Sequence, residues 1–146
     1  MDATQVKVLL QEGEYVETLW ADPLGNNLYR LDNLPFWAYG ISWHDVVEAT
    51  PAPDGMLTMV RVVTKSGHRT VRARFNPGID VNVEARATLD RAVAVGCTFE
   101  GLHPGYIAID VPPGVDLTQV ATLLSDAGVE WEQADPPSPQ VVTDAA

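Results

Sequence analysis

The order of hydrophobic periodicities in the second half of the chain restricts its fold most strongly. From residue 68, apolar and polar residues alternate, and the apolar spacing then becomes helical over residues 82–95. Two strand patterns follow, and a second helical pattern lies between the N-cap residue Asp116 and Gly128, before a last alternating stretch. Strand, helix, strand, strand, helix, strand is the order of a ferredoxin-like βαββαβ sandwich, which we predict for residues 67–134.

The first half of the chain contains short strand patterns separated by turn residues. Alternating or β-branched stretches at residues 6–10, 15–20 and 28–31 are divided by Gly, Asn and Pro. Closely spaced short strands are typical of a small barrel or a strongly curled sheet. We therefore predict an α+β protein in which an N-terminal β subdomain, residues 1–66, precedes the sandwich. Residues 135–146, with three prolines and a polar end, are predicted to be a disordered tail.

Residues 56–75 carry the clearest hairpin pattern, centred on Ser66 and Gly67. With a two-residue loop there, one face of the hairpin is apolar and the other is basic. We expect both subdomains to share this hairpin. The same register pairs Arg61 with Arg72, a like-charged contact that is unfavourable unless an anion lies between the two side chains.

Charge is unevenly distributed over the 146 residues, whose formal net charge is −11. Residues 1–54 carry nine acidic and two basic side chains, and residues 92–146 carry eight acidic side chains and no Lys or Arg. Residues 55–91 instead carry seven basic and three acidic side chains. The acidic total argues against nucleic acid as a partner, because such binding depends on neutralising phosphates. The basic middle is either neutralised by the acidic flanks within the fold or binds an anion.

In the predicted sandwich, the first and last strands are antiparallel neighbours, which brings two Arg residues beside two Glu residues. Arg72 and Arg74 point away from the helices on the first strand, and Glu130 and Glu132 do so on the last. These side chains either form internal ion pairs or contribute to a site where an Arg fork receives a carboxylate or phosphate. The candidate ligand-binding residues on this open face and its hairpin are Arg61, Arg72, Arg74 and Tyr106.

Large aromatic residues crowd the chain around Gly40, where Phe36, Trp37, Tyr39 and Trp43 stand close together. Such side chains anchor both cores and interfaces, and core packing is favoured here because the β half needs core volume. Alternation at period two nevertheless leaves at least one of Phe36 and Trp37 exposed. The candidate partner-binding residues are Trp37, Trp43, Glu130 and Glu132.

No pattern in the sequence indicates a metal site, a cofactor site or a catalytic centre. His44, His68 and His103 lie far apart without ligand spacing, and the sequence has no glycine-rich phosphate loop or nucleophile elbow. Cys97 follows the end of a helix, so we expect a small buried thiol and not an activated nucleophile. A single cysteine, no apparent leader and no membrane-length apolar run favour a cytoplasmic protein without membrane contact.

Three sequence blocks carry a family resemblance: residues 17–21 (ETLWA), 33–42 (NLPFWAYGIS) and 45–49 (DVVEA). With them the chain resembles an uncharacterised, mostly bacterial family known as domain of unknown function 4265. The resemblance extends over most of residues 5–134, and its most specific part is the NLPF-x-A-x-GIS-x-x-DVV block. It implies a small, soluble, stand-alone bacterial protein and no established reaction, cofactor or catalytic residue.

The sequence favours a non-enzymatic acidic interaction protein that binds a basic protein partner, for example an immunity or inhibitor protein for a toxin enzyme. Complementary charge accelerates and selects such encounters. The first alternative is a small-molecule sensor that binds an anionic ligand on the open face of the sandwich. An enzyme with an unrecognised site is the second alternative, and the sequence leaves the oligomeric state open.

Overall fold

The computed structural model describes residues 4–75, 83, 85–103 and 105–137. Its first five strands close into a barrel. Successive strands pair antiparallel, and the barrel closes where the first and fifth strands pair in parallel through Leu9 and Thr58. The barrel strands are β1 (Val6–Glu12), β2 (Tyr15–Gly25), β3 (Leu28–Leu31), β4 (Val46–Pro51) and β5 (Leu57–Thr64).

Alternation along these strands fills the barrel interior with apolar side chains. Asn26 and Asn27 connect β2 and β3 with φ angles of 57° and 65°, the left-handed pair that a two-residue type I′ turn requires. The core residues are Val8, Leu10, Leu19, Ala21, Leu31, Val47 and Ala49, with Ala38 and Ile41 from the connection between β3 and β4.

The second part is a four-stranded antiparallel sheet with the strand order β7-β8-β6-β9. Two helices pack through a shared apolar core onto the sheet residues Val71, Ile109 and Trp131. The α+β class and the N-terminal barrel predicted from the sequence are confirmed. The elements are β6 (Arg69–Arg74), α1 (Arg86–Ala94), β7 (Thr98–His103), β8 (Tyr106–Val111), α2 (Leu117–Asp126) and β9 (Glu130–Asp135).

The sequence located the second helix well because its ends carry local signals. The Asp116 carboxylate accepts a hydrogen bond from the backbone N–H of Thr118 at 2.9 Å, as an N-cap does. Gly128, with a φ of 72°, follows the last turn. The helix predicted over residues 82–95 corresponds to α1, although residues 82 and 84 lie outside the described part of the chain.

The prediction of a hairpin over residues 56–75 is wrong. Strand β5 pairs with β4 and β1 inside the barrel, whereas β6 pairs with β8 and β9 at the centre of the sheet. Arg61 consequently lies opposite Glu48, with which it forms a 2.8 Å ion pair, and not opposite Arg72. Both arms have the alternation of a hairpin, but alternation does not select the partner: β5 pairs with the preceding strand β4, and β6 pairs with two strands that follow much later in the chain.

The open face predicted for the sandwich is covered around Arg72, whereas the side chains of Arg74 and Glu130 on the same face are exposed. Residues 32–45, called here the bridging segment, connect β3 to β4 and lie against the sheet surface opposite the helices. The hydroxyl of Thr70 donates to the carbonyl of Ile41 at 3.0 Å, and the N–H of Gly40 donates to the carbonyl of Ala134 at 2.9 Å. Arg72, predicted to be on an open surface, is therefore only 2% exposed.

A polar cluster of one exposed lysine, two buried carboxylates and a buried serine joins the barrel to the sheet. The Lys65 ammonium lies 2.5 Å from both the Asp45 and the Asp135 carboxylates. Ser42 donates its hydroxyl to Asp135, and its own N–H donates to Asp45 at 2.8 Å. These four residues, called here the interdomain cluster, come from the bridging segment, the β5–β6 connection and β9.

The end of the described chain differs from the predicted tail at its first residue. Asp135 ends β9 and is 3% exposed, so it belongs to the fold and not to a tail. Residues 138–146 of the predicted tail lie outside the described residues. In the part of the chain that the structure describes, neither helix has the length and apolarity needed to cross a bilayer.

Candidate functional site

A surface pocket of about 360 Å³ lies where the β1–β2 turn, the bridging segment and the sheet meet. This volume is within the range of about 300–1,000 Å³ that is usual for ligand sites. Aromatic side chains from all three elements line it, together with three Glu and two Arg. The residues of this aromatic pocket are Glu12, Tyr15, Phe36, Trp37, Tyr39, Arg72, Ala73, Arg74, Tyr106, Glu130, Trp131 and Glu132.

The carboxylate of Glu17 fixes the bridging segment above the pocket. It accepts hydrogen bonds from the backbone N–H groups of Phe36 and Trp37 at 2.9 Å and of Ala38 at 2.8 Å. The carboxylate of Glu12 accepts the next available N–H, that of Tyr39, at 3.0 Å. Two barrel carboxylates thus satisfy four consecutive backbone donors that the irregular segment would otherwise leave without partners.

Arg72 binds the same segment from the opposite side. Its guanidinium donates to the carbonyl oxygens of Ala38 at 2.9 Å, Pro35 at 3.3 Å and Trp37 at 3.5 Å. It also donates to Glu132 at 3.1 Å. Because this buried cation has a carboxylate and three carbonyls around it, its charge is compensated inside the protein.

The aromatic residues of the pocket are ordered by ring contacts and hydroxyl hydrogen bonds. The rings of Tyr15 and Trp37 stack with centroids 4.5 Å apart and an interplanar angle of 9°. Trp37 also stacks on Tyr106 at 5.4 Å, and the Tyr106 hydroxyl donates to the carbonyl of Phe36 at 2.6 Å. Tyr39 lies over the Arg72 guanidinium at 4.7 Å.

The two pocket tyrosines with shifted acidity remain phenols at neutral pH. Burial, and then the hydrogen bond to Glu132, raise the pKa of Tyr39 above its ordinary value. Burial likewise raises the pKa of Tyr106, against a smaller opposing effect of Arg72. Both hydroxyls therefore act as hydrogen-bond donors, Tyr39 to Glu132 at 2.7 Å and Tyr106 to Phe36.

The structure brings six of the eight sequence-derived candidates to this pocket. Arg72 pairs in register with Glu132, and Arg74 with Glu130, as the sequence predicts for neighbouring antiparallel strands. Arg61 lies on the barrel with Glu48, away from the pocket lining. Trp43 also lies outside it. The six lining candidates are Trp37, Arg72, Arg74, Tyr106, Glu130 and Glu132.

Sequence reasoning missed the contribution of the barrel to this site. Glu12 pairs with Tyr15 across the β1–β2 turn, so both side chains lie on one face of the hairpin. The turn at Gly13, which has a φ of 59°, is the local signal that could have placed them together. Nothing local indicates that Glu17 reaches residues 36–38, because that contact spans about twenty positions.

Trp43 belongs to a second cluster, on the other side of the bridging segment. It stacks on His44 with centroids 3.4 Å apart, and its indole N–H donates to Asp32 at 3.1 Å. His44 has a φ of 70°, which is unusual for a residue with a side chain. Burial, and then Arg30, lower the pKa of His44.

Two further titratable residues, Asp110 and Cys97, are buried. His68 Nδ1 lies 2.8 Å from Asp110, whose pKa is raised by burial although His68 partly offsets the effect. Cys97 is 2% exposed, and burial raises its pKa to about 11, so it is a buried thiol as the sequence predicts. Among the described residues, no group of three or more His, Cys, Asp and Glu side chains could hold a metal ion.

Comparison with known proteins gives a family and a fold. The sequence matches the family described as Domain of unknown function (DUF4265) over residues 17–133. No curated protein matches the sequence. Among solved structures, the chain is similar to a hypothetical protein from Neisseria gonorrhoeae, with a TM-score of 0.78 and 14% identity, covering 94% of this chain and 99% of that chain. That likeness shows a shared fold, and the family match confirms the resemblance read from the sequence: the chain belongs to the DUF4265 family.

Proposed function

We propose that this protein is a non-enzymatic interaction module that binds a basic protein partner through the aromatic pocket. The observation that carries the proposal is the meeting of exposed aromatic side chains and three carboxylates in one pocket. The chain as a whole has a net charge of −11. Buried aromatic anchors contribute most of the affinity in protein interfaces, and complementary charge raises the association rate.

The exposed aromatics are held in place before any partner arrives. Tyr15 is 56% exposed and yet stacks on Trp37, while Tyr39 is 43% exposed and yet hydrogen-bonds to Glu132. Side chains that are already ordered lose little conformational entropy on binding. Tyrosines that only faced solvent would not need contacts that hold their rings in one position. The order of Tyr15 and Tyr39 therefore supports a binding role for the pocket.

Anion sensing at the same site is the second candidate. Arg74 favours it, because its side chain is 66% exposed and its ion pair with Glu130 is long, at 3.6 Å. Arg72 favours the first candidate, since its donors already bind Glu132 and three carbonyls of the bridging segment. Releasing it for a ligand would leave those buried acceptors without partners.

We propose that the biological role of this binding is that of an immunity or inhibitor protein, which acts on a basic toxin enzyme in the cytoplasm. A toxin gene beside the gene for this protein would support that role. We also propose that the second part of the chain is a ferredoxin-like sandwich. Its strand order β7-β8-β6-β9 and its two helices sharing one core support that description.

Capture from a native lysate tests the proposed function. Wild type, Tyr15→Ala and Trp20→Ala proteins are immobilised in parallel. Tyr15 lines the pocket, whereas Trp20 is a comparably exposed barrel residue outside the lining. We expect a basic protein to bind wild type and Trp20→Ala, to be lost with Tyr15→Ala, and to elute as salt rises above about 0.15 M. Equal capture by all three proteins, or selective loss of an acidic protein, would contradict the proposal.

A further inference from the structure

We infer that the aromatic pocket is an arginine site, which takes one arginine side chain of the partner between the ring of Tyr15 and the carboxylate of Glu12. The inference rests on the proposed function and specifies the chemical group that the pocket recognises. It follows from the charge balance of the pocket, from the ring face that Tyr15 presents, and from an arginine that the protein already binds in the same way.

The charge balance leaves one carboxylate of the pocket without a cation. Glu132 pairs with Arg72 at 3.1 Å, and Glu130 pairs with Arg74 at 3.6 Å. Glu12 forms no ion pair within the described residues, and one of its oxygens accepts the N–H of Tyr39. That hydrogen bond orients the carboxylate without neutralising it, so Glu12 remains free to bind a positive charge.

Tyr15 presents an open ring face beside this carboxylate. One face of its ring stacks on Trp37, yet the residue is 56% exposed, so the opposite face is turned toward solvent. Tyr15 and Glu12 are direct cross-strand partners in the β1–β2 hairpin, and both line the pocket. Directly opposed residues place their side chains on the same face about 5 Å apart, within reach of a single ligand group.

Arg72 shows the same recognition inside the protein. Its guanidinium carbon lies 4.7 Å from the centre of the Tyr39 ring, and its Nε donates to Glu132. The ring face of Tyr39 and the carboxylate of Glu132 therefore hold the buried guanidinium of Arg72 in the lining of the pocket. The pair formed by Tyr15 and Glu12 supplies the same two groups beside the β1–β2 turn, where none of the described Lys and Arg side chains pairs with Glu12.

Guanidinium fits this arrangement better than ammonium. It is planar, so it can stack on a tyrosine ring while its edge donates two hydrogen bonds to a carboxylate. It is also more weakly hydrated, which lowers the cost of entering an aromatic pocket. A lysine ammonium can make the ion pair but cannot stack in this way.

Titration of the full chain with three short peptides tests the inference. The probes are acetyl-Gly-Arg-Gly-amide, the same peptide with Lys, and the same peptide with citrulline, which keeps the shape of arginine without its charge. Chemical shifts of the Tyr and Trp rings report binding. We expect saturable shifts with the Arg peptide, affinity about three- to fivefold lower with Lys, and no saturation with citrulline. Equal binding of Lys or citrulline, or no saturable binding at all, would overturn the arginine site.

A matched pair of variants tests whether the Arg peptide binds at Glu12. Glu12→Gln removes the charge but keeps an oxygen that can accept the N–H of Tyr39, and Glu14→Gln removes the same charge from the exposed turn outside the pocket lining. We expect the Arg peptide to lose most of its affinity for Glu12→Gln and little for Glu14→Gln. Unchanged affinity for Glu12→Gln, or equal losses in both variants, would refute the assignment.

The result separates this inference from the proposed function. Capture of a basic protein that depends on Tyr15, without binding of the Arg peptide, would keep the interaction module and reject the arginine site. Saturable shifts with inorganic phosphate in place of the Arg peptide would reject the inference and support the anion sensor instead.

Discussion

At the scale of single residues, the burial of Arg72 decides how the site is built. An arginine on an open sheet face contributes little to stability, because water solvates it and competes with its ion pair. Here the guanidinium of Arg72 donates hydrogen bonds to three carbonyl oxygens of the bridging segment and to the carboxylate of Glu132. Arg72 therefore joins the barrel to the sheet, and its removal affects both the fold and the pocket.

We expect Arg72→Met to lower the free energy of unfolding by about 2–4 kcal/mol, because it leaves buried carbonyls and a carboxylate unpaired. Arg74→Met is the control, since Arg74 is exposed and should change stability by no more than about 0.5 kcal/mol. Urea unfolding followed by tryptophan fluorescence measures both. Equal effects of the two substitutions would show that the buried hydrogen bonds of Arg72 do not contribute.

His44 makes one contribution to the pH dependence of stability, and the sign of that contribution follows from its lowered pKa. Its pKa is lowered in the fold, so the unfolded chain binds protons more readily and stability falls as pH drops through the ordinary value of 6.5. Asn tolerates the left-handed backbone at φ 70° and does not titrate. We expect His44→Asn to gain stability relative to wild type between pH 7.5 and 5.5, measured by urea unfolding at both values. A constant difference between the two proteins would exclude this linkage.

At the scale of elements, the bridging segment is an irregular stretch held by carboxylates. Glu17 and Glu12 accept its N–H groups from the barrel side, and Arg72 binds its carbonyls from the sheet side. A segment with its backbone satisfied on both sides can be rigid without regular secondary structure. This rigidity explains how Trp37 and Tyr39 are placed within a pocket although neither lies on a helix or strand.

Glu17→Gln tests that rigidity. The neutral amide is a weaker acceptor than the carboxylate for the three N–H groups of residues 36–38. We expect hydrogen exchange of these amides to accelerate about tenfold, with smaller changes in the strands. Glu14→Gln provides the control from the exposed turn. Unaltered exchange at residues 36–38 in Glu17→Gln would mean that other contacts hold the segment.

The structural features predicted correctly are those marked in the sequence by a local pattern or by the order of the elements. The helix after Asp116 follows from capping, the register of Arg72 with Glu132 follows from alternation together with the order of the elements, and both are confirmed. The hairpin over residues 56–75 failed because alternation alone does not reveal which strand lies alongside. The pocket required contacts between Glu17 and the bridging segment and between the barrel and the sheet, which no local pattern specifies.

At the scale of the whole molecule, the pocket exists only where the barrel and the sheet meet. Glu12 and Tyr15 belong to the barrel, Glu130 and Glu132 belong to the sheet, and the bridging segment lies between them. The interdomain cluster also connects the two parts, because Lys65 forms ion pairs with Asp45 of the bridging segment and with Asp135 of β9. Separating the two parts would break at least one of the two Lys65 ion pairs and the hydrogen bond between Ser42 and Asp135, so we expect the parts to fold together.

Differential scanning calorimetry tests most directly whether the two parts form the single unit on which the site depends. We predict one transition for the full chain, with a calorimetric enthalpy equal to the van't Hoff enthalpy. Two resolved transitions, or a calorimetric enthalpy well above the van't Hoff value, would contradict the account. In that case the barrel and the sheet would unfold independently, and the pocket between them would not be a preorganised site.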